Sequence, residues 1–200
     1  MPPDRAPAAA AAAGAGAGRD AEATRRRILD AAIDAFARYG YDGASTRDIA
    51  REAGIDPRLI TRYFGGKEAL FELAVEQTYR HPLMMTPGQN RVVARALLDD
   101  APLDQAKGLL LTIRSVGNER AAEIMRAHLE SHYQRELAGG LPGDEAVTRA
   151  ALLIAVCTGV QMHRNVLRNT ALLPAPSEAI VGRLAAALDV LGVDEGPRPE

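Results

Sequence analysis

The stretch IDPRLITRYFGGKEAL (residues 55–70) contains one short helical segment between two clear boundaries. Pro57 is a favoured first-turn residue, and Gly65-Gly66 end the segment after Phe64. At about 100° per residue, polar and basic side chains fall on one side of this helix and apolar ones on the other. The apolar side needs a neighbouring element to pack against. The polar side holds Arg58, Thr61 and Arg62, the apolar side holds Ile60, Tyr63 and Phe64, and Leu59 lies between them.

The preceding stretch STRDIAREAG (residues 45–54) predicts that neighbour. Ser45 is a good N-cap, Asp48 stands at the capping-box position, and Gly54 ends the helix. This helix offers Ile49, Ala50 and Ala53 to the next one across the short turn Gly-Ile-Asp-Pro. Two short helices joined in this way, the second with a basic face, indicate a helix-turn-helix. A helix of about seven residues spans roughly 10 Å, enough to lie across a DNA major groove and reach a few base edges.

The polar residues of this unit are candidate DNA contacts. A guanidinium group can fork onto guanine or onto phosphate oxygens, and free backbone N–H groups at a helix start attract phosphate. Arg58 and Arg62 are expected to bind guanine or phosphate, and Leu59 and Thr61 to contact bases or thymine methyl groups. Phosphate contacts are expected from Ser45, Thr46, Arg47, Tyr63 and Lys67. Taken singly, each of these residues is equally well explained as solvated surface; the whole set in this order is not.

Composition limits the possible functions. The 200 residues are 47% apolar, enough for a substantial core, and the net charge of −2 argues against indiscriminate nucleic-acid coating. Residues 19–70 hold ten Arg and Lys against nine Asp and Glu, so any DNA affinity must come from a local surface. The single cysteine, Cys157, excludes an internal disulfide framework and a multi-cysteine zinc site, and it fits a reducing cytoplasm.

The periodicity along the chain predicts an all-α fold of about nine helices. We expect a flexible Ala/Gly-rich tail over residues 1–19, a DNA-binding domain over 20–70, and a second, larger helical domain over 71–200. The most apolar run, AALLIAVCTGV (150–160), is too short for the ~20 residues of a membrane span. The first helix ends at Gly40, and the fourth runs from Lys67 to about Tyr79. Later helices are predicted over 89–98, 103–116, 118–138, 143–169 and 177–192.

Residues 24–70 resemble the DNA-binding domain of the TetR family of transcriptional regulators. The matching marks are Ile-Leu-x-Ala-Ala and Phe-x-x-x-Gly-Tyr in the first helix, Ser45 to Ala50, Ala53-Gly54-Ile55, and Tyr63-Phe64-x-x-Lys67-Glu68-x-Leu70. The resemblance implies that the second and third helices and the start of the fourth grip DNA. It also implies that the remaining helices bind a ligand and form a dimer.

Three positions depart from the family pattern. The family commonly has a glycine at Arg58, a tyrosine at Thr61, and a serine or asparagine at Gly66. The backbone register should survive these changes, but the bases that are read cannot be inherited. We expect Arg58 and Leu59 to give this protein its own sequence preference.

The larger half suggests a ligand pocket and a dimer surface. Because the resemblance places the seventh helix beside the ligand cavity, we predict ligand contacts from Met125, His128 and His132, with further ones from His163 and Arg164. The spacing of His128 and His132 also suits a metal, but a polar pocket lining or solvated surface fits the pattern better. The apolar stripe of residues 177–192 suits a four-helix dimer interface formed by the two C-terminal helices, or a core within one chain.

These features favour a homodimeric repressor that binds a pseudo-palindromic operator and leaves it when a small-molecule effector binds. One recognition helix reads too few bases to specify a genomic site, which supports the dimer. A metal-dependent helical-bundle enzyme and a ligand-independent architectural DNA binder are the alternatives. We expect no enzymatic activity, cofactor or metal site, because the sequence has no nucleophile–base set, phosphate loop or cysteine cluster.

Overall fold

The fold is known from a computed structural model that describes residues 6–79, 89–99 and 106–193, with side chains described from Asp20 onward. Within these residues the chain is helical and has no strand, as the all-α prediction requires. The helices are α1 (Ala6–Gly43), α2 (Thr46–Ala53), α3 (Arg58–Phe64), α4 (Lys67–Tyr79), α5 (Asn90–Leu98), α6 (Lys107–Ser115), α7 (Glu119–His128), α8 (Arg135–Gly139), α9 (Ala146–Gln161) and α10 (Glu178–Gly192). A π-helical segment, Leu129–Gln134, joins α7 to α8, so the described residues contain nine continuous helices.

Helix α1 differs from the sequence expectation at both ends. It begins at Ala6, within the stretch expected to be a flexible tail, because alanine has the strongest helix propensity of all residues. Near its other end, Gly40 leaves the helical conformation at φ 71° and ψ 178°, and one more turn follows to Gly43. The predicted stop at Gly40 is therefore a break inside the helix. The domain boundary at residue 20 stays a prediction.

The first hydrophobic cluster holds α1 to α4 together. Phe36 and Phe71 are fully buried and meet edge to face at 5.0 Å, and Tyr41 contacts Phe71 at 4.9 Å between ring centroids. The cluster continues into the larger half of the chain. Its members there are Leu111 of α6 and Ala121, Ile124 and Met125 of α7.

A second cluster packs α5, α8, α9 and α10. Leu153 and Cys157 of α9 face Leu97 of α5, Leu137 of α8 and Leu188 of α10 in this cluster. A smaller group, formed by Ala94, Leu98, Val181 and Ala185, extends the packing of α5 on α10. The C-terminal half therefore has a core of its own.

Helix α6 belongs to the larger half of the chain and lies along α1, so it joins the two halves. The Tyr41 backbone N–H donates to the Ser115 hydroxyl at 3.0 Å, and the Arg114 guanidinium donates to the Ala37 carbonyl. Lys107 pairs with Asp34 of α1 at 2.6 Å. The position of α1 is thus tied to α6 by polar contacts at several points.

The longest apolar helix is α9 with its π-helical extension, Met162–Val166. Together they form 21 residues of mean hydropathy 1.3, long and apolar enough to cross a membrane, with 28% of that stretch buried. One such helix is weak evidence of a span, because a core helix of a globular protein passes the same test. Here one face of α9 packs into the second cluster.

Candidate nucleic-acid interface

The turn between α2 and α3 fixes the angle of the two helices. Gly54 adopts the left-handed conformation at φ 65°, and its N–H group points at the carbonyls of Ala50 and Arg51. The Ile55 N–H donates to the Ala50 carbonyl at 3.0 Å, which completes the helix cap. Ile49 and Ala50 of α2 and Ile60 of α3 are fully buried in the first cluster. The helix-turn-helix predicted from the sequence is present.

The outer side of α3 carries the predicted base-reading residues. Arg58, Thr61 and Arg62 are exposed, while Leu59 and Tyr63 are half-buried. Asp56 accepts a hydrogen bond from the Arg58 backbone N–H at 2.8 Å and so starts the helix. The structure therefore places two guanidinium groups, which pair with none of the described residues, one turn apart on the surface of a short, anchored helix.

Arg25 is a residue of this unit that sequence reasoning missed. Its Nη1 donates to the Tyr63 carbonyl at 2.9 Å, and its guanidinium lies 4.7 Å from the centre of the Phe64 ring. The contact ties the C-terminal end of α3 to α1. The three consecutive arginines from Arg25 onward were a signal, but nothing in the sequence says that the first of them turns inward.

The N-terminus of α2 is capped by Ser45. The Ser45 hydroxyl accepts from the Asp48 N–H at 3.1 Å and donates to the Asp48 carboxylate at 2.5 Å, and Arg51 pairs with the same carboxylate at 2.6 Å. The hydrogen bond from Ser45, with the Arg51 charge, lowers the pKa of Asp48. Thr46 is half-buried and Arg47 is exposed at this end of α2. The three predicted phosphate contacts here thus lie together.

Lys67 opens α4 beside the aromatic group of the first cluster. Its ammonium lies 4.6 Å from the centre of the Tyr41 ring, and burial raises the pKa of that tyrosine. Gly66, before it, lies at φ 143°, a backbone conformation that L side chains rarely adopt. Arg120 of α7 binds Glu68 at 2.8 Å, and the hydrogen bonds to carboxylates raise the pKa of Arg120. The start of α4 is therefore linked to α7.

The predicted ligand residues divide between two places. Met125 is buried in the first cluster, and His128 and His132 meet edge to face with ring centroids 5.2 Å apart. The two histidines line an open cleft of about 490 Å³, whose other lining residues include Glu72, Arg120, Glu123 and Ser131. The Nε2 atom of His128 is buried, and no described residue forms a hydrogen bond with it.

His163 and Arg164 do not line this cleft. His163 is exposed, whereas Arg164 is buried and donates from Nε to the Asp99 carbonyl at 3.0 Å and from Nη1 to the Leu172 carbonyl. Arg164 therefore ties the end of α5 to the loop after the π-helical segment. Its assignment to a ligand site, like that of the other four residues, stays a prediction. Among the described residues, no three His, Cys, Asp or Glu side chains are grouped so that they could hold a metal.

Family models match both halves of the chain. Residues 28–74 match the model for bacterial regulatory proteins of the tetR family, and residues 90–191 match the tetracyclin repressor-like C-terminal domain. The first match contains α2, α3 and the start of α4, and the second contains the helices from α5 to the end of the described chain.

Curated relatives are transcriptional regulators. The HTH-type transcriptional repressor SCO4008 of Streptomyces coelicolor is 46% identical over 59 residues, which are 30% of this chain and 31% of that protein. The HTH-type transcriptional regulator SrpR of Pseudomonas putida is 37% identical over 95 residues, 44% of either chain. In both cases the chain spans less than half of the length of the relative it matches.

Solved structures share the fold over most of the chain. A transcriptional regulator from Rhodococcus sp. Rha1 superposes with a TM-score of 0.59 and 26% identity, covering 86% of this chain and 98% of that one. The multidrug binding protein EbrR, solved with ethidium, has a TM-score of 0.60 at 23% identity, covering 84% and 98%. The helix-turn-helix geometry, the two family models and these structures lead to one conclusion: the chain belongs to the TetR family of bacterial regulators.

Proposed function

We propose that the protein is a transcriptional repressor that binds a specific DNA operator as a homodimer and is released by a small-molecule effector. The observation that carries this proposal is the outer side of α3, where Arg58, Thr61 and Arg62 are exposed while Ile60 and Phe64 anchor the helix from behind. A basic helix face that is held rigidly and left free of partners is suited to the DNA major groove.

Each part of this surface has a separate role. Arg58 and Arg62 fork onto guanines, and Leu59 and Thr61 contact neighbouring bases or thymine methyl groups. The phosphate contacts fix the register of α3 in the groove but carry no sequence information. They come from Ser45, Thr46 and Arg47 at the start of α2, Tyr63 at the end of α3, and Lys67 at the start of α4.

The dimer forms through the outer faces of α9 and α10. Val147 and Leu152 of α9 are 59% and 47% exposed, and Ile180 and Val190 of α10 are 47% and 64% exposed. A contiguous apolar patch on a protein surface marks an interaction site, and we assign these side chains to such a patch on the outer sides of α9 and α10. Pairing with a second copy gives a four-helix bundle and presents two α3 helices to successive grooves of a pseudo-palindromic operator.

The effector acts through the contacts that join the two halves. A ligand that prefers one arrangement of α6 and α7 shifts α1 and α4, because Lys107, Arg114 and Arg120 bind those helices. A preference of about 1–3 kcal/mol is enough to change operator occupancy.

The cleft beside His128 and His132 is the predicted place for such a ligand, with Met125, His163 and Arg164 as the remaining predicted contacts. The fold relative EbrR, which was solved with ethidium, supports a ligand-binding half. We place the regulator in the cytoplasm, where its DNA target lies.

Titration of two point variants tests the proposal. Duplexes selected from a random pool by the native protein are compared with scrambled duplexes by fluorescence anisotropy over a range of salt concentrations. Arg58→Ala is expected to lose about 1–3 kcal/mol of discrimination between the two, because a bidentate base contact is removed. Lys67→Ala is expected to weaken both duplexes equally and to reduce the salt slope by about 1, because it loses one phosphate contact.

Arg135→Ala is the control, since Arg135 is exposed on α8, far along the chain from the reading helix. Arg135→Ala should leave the DNA affinity and the salt dependence of binding unchanged. If the native protein selects no sequence at all, the repressor proposal is wrong. If Arg58→Ala weakens every duplex equally, Arg58 is a phosphate contact and does not read bases.

A further inference from the structure

The described part of the chain buries four polar or charged side chains: Asn90, Ser115, Arg149 and Arg164. Asn90 donates from Nδ2 to the Asp189 carboxylate at 2.7 Å, and the Ser115 hydroxyl accepts from the Tyr41 N–H. Arg164 donates to two backbone carbonyls. Three of the four are therefore satisfied in the ordinary way for buried polar groups.

Arg149 is the exception. The residue is 9% exposed, and its Nε, Nη1 and Nη2 atoms are all buried without a hydrogen-bond partner among the described residues. A guanidinium group carries five N–H donors and keeps its positive charge in proteins, so it cannot escape the cost of burial by losing a proton. A buried guanidinium that lacks a partner destabilises the folded protein, and an anion that binds it removes this cost.

The position of Arg149 shows where this anion must lie. On α9, Arg149 is about 40° around the helix from Leu153 and about 60° from Ala146, and it is about 160° from the exposed Val147. Leu153 and Ala150 are buried in the second cluster, and Ala146 packs against it. Arg149 is thus at the edge of the buried half of α9: it lies opposite Val147 but only about 60° from Leu152, the other α9 residue that we assign to the dimer surface.

We infer that Arg149 binds the carboxylate of a small organic acid held between α8 and α9. The planar fork of the guanidinium fits a carboxylate through two parallel hydrogen bonds. The second cluster, on which the buried half of α9 packs, is apolar and includes Leu137 and Ala138 of α8 and Ala150 and Leu153 of α9, so it suits a hydrocarbon body attached to the acid. An inorganic anion would leave that apolar surface unused.

The elements around Arg149 are suited to letting a ligand in. Helix α8 has five residues, about one turn, so little helical structure is disturbed when it moves. It lies between the π-helical segment Leu129–Gln134 and the exposed loop that starts at Gly140. The cleft beside His128 and His132 is a different place, because Leu129 and Tyr133 of the same segment pack towards the second cluster.

This inference names the chemical class of the effector. It rests on the proposed function in one respect only, namely that binding of the acid changes operator binding. Binding of the acid itself is a property of the protein alone. The two can therefore fail separately.

The test measures thermal unfolding of the full chain with octanoate, benzoate or 1-octanol, for the native protein, Arg149→Met and Arg135→Met. At least one of the two acids is expected to raise the Tm of the native protein and of Arg135→Met, whereas 1-octanol is not. Arg149→Met should bind the acid roughly 10- to 150-fold more weakly, because it loses hydrogen bonds between charged groups. Without any ligand, Arg149→Met should have a higher Tm than the native protein, because methionine of similar length removes an unpaired buried charge.

Several results would overturn the inference. One is that neither acid raises the native Tm, or that an acid raises the Tm of Arg149→Met equally. Another is a lower Tm of ligand-free Arg149→Met, which would mean that the guanidinium is already paired in solution. A gel shift on selected operator DNA is read separately. If an acid binds through Arg149 but leaves operator binding unchanged, the anion site stands and its role as effector site falls.

Discussion

At the scale of single residues, Gly40 sets the distance between α1 and α6. A Cβ atom built at this position would lie 2.2 Å from the Arg114 carbonyl oxygen, a distance that real Cβ atoms do not show. The backbone also lies at φ 71°, where side chains other than glycine are strained. Two independent conditions therefore require glycine here: the positive φ of the backbone and the close approach of the α6 backbone.

Replacing this glycine should destabilise the whole protein. We expect Gly40→Ala to lower the free energy of unfolding by roughly 2–4 kcal/mol, combining the strain of positive φ with overpacking against the α6 backbone. Urea unfolding followed by circular dichroism measures the loss. Gly139→Ala is the matched control, because a Cβ there meets nothing within 4 Å. Equal stability of both variants would mean that α1 and α6 do not approach so closely.

Residues whose roles could be predicted have partners close to them along the chain, whereas residues whose roles were missed do not. Ser45, Gly54 and Phe64 were predictable as helix boundaries because capping depends on neighbours within four residues. Arg25 was not, since its partner Tyr63 is 38 residues away. The burial of Arg149 could not be predicted either, because a sequence does not show which arginine is buried.

At the scale of the element, α2 depends on charge at its first turn. Asp48 stands in the first turn, where the N-terminal dipole favours an anion, and Ser45 and Arg51 both bind its carboxylate. These contacts lower the pKa of Asp48 in the folded protein. A carboxyl group whose pKa is lowered on folding stabilises the protein above its unfolded pKa, and this contribution is lost as pH falls through the folded pKa.

The stability lost in Ser45→Ala should therefore depend on pH. At neutral pH the variant loses an N-cap, a change that costs about 1 kcal/mol. As pH falls below the ordinary Asp pKa of about 4 and then through the lower folded pKa, Asp48 becomes protonated first in the variant and then in the native protein, so the difference in stability between them should shrink. Urea unfolding at pH 7 and pH 3 measures this.

Ser177→Ala provides the comparison, because Ser177 caps α10 by accepting from the Ile180 N–H and has no carboxylate three residues later. The loss of stability in Ser177→Ala should be similar at pH 7 and pH 3. A pH-independent effect of Ser45→Ala would show that the Ser45 hydroxyl does not hold the Asp48 carboxylate in solution.

At the scale of the whole molecule, α10 shows what the sequence could and could not say about assembly. The stripe of Ile180, Leu184, Leu188 and Leu191 fitted a dimer interface or an internal core equally well. The structure uses Leu184, Leu188 and Leu191 to pack against α9 and α5, and it leaves Ile180 exposed together with Val190. Periodicity identifies an apolar face but does not say which partner covers it. The apolar side chains that stay exposed, and that we assign to the dimer, can be identified only when the packing of the core is known.

The proposed dimer predicts the behaviour of Leu152→Glu. Leu152 is 47% exposed in the single chain, so a charge there costs the folded monomer little. In a four-helix bundle of α9 and α10 the same carboxylate would be buried without a partner, which costs several kcal/mol for each copy. Light scattering should therefore show a monomer at concentrations where the native protein is a dimer, and operator binding should weaken because only one α3 then reaches the DNA. Val116→Glu, at a more exposed position after α6, should leave the mass unchanged. A Leu152→Glu protein that stays dimeric would place the interface elsewhere.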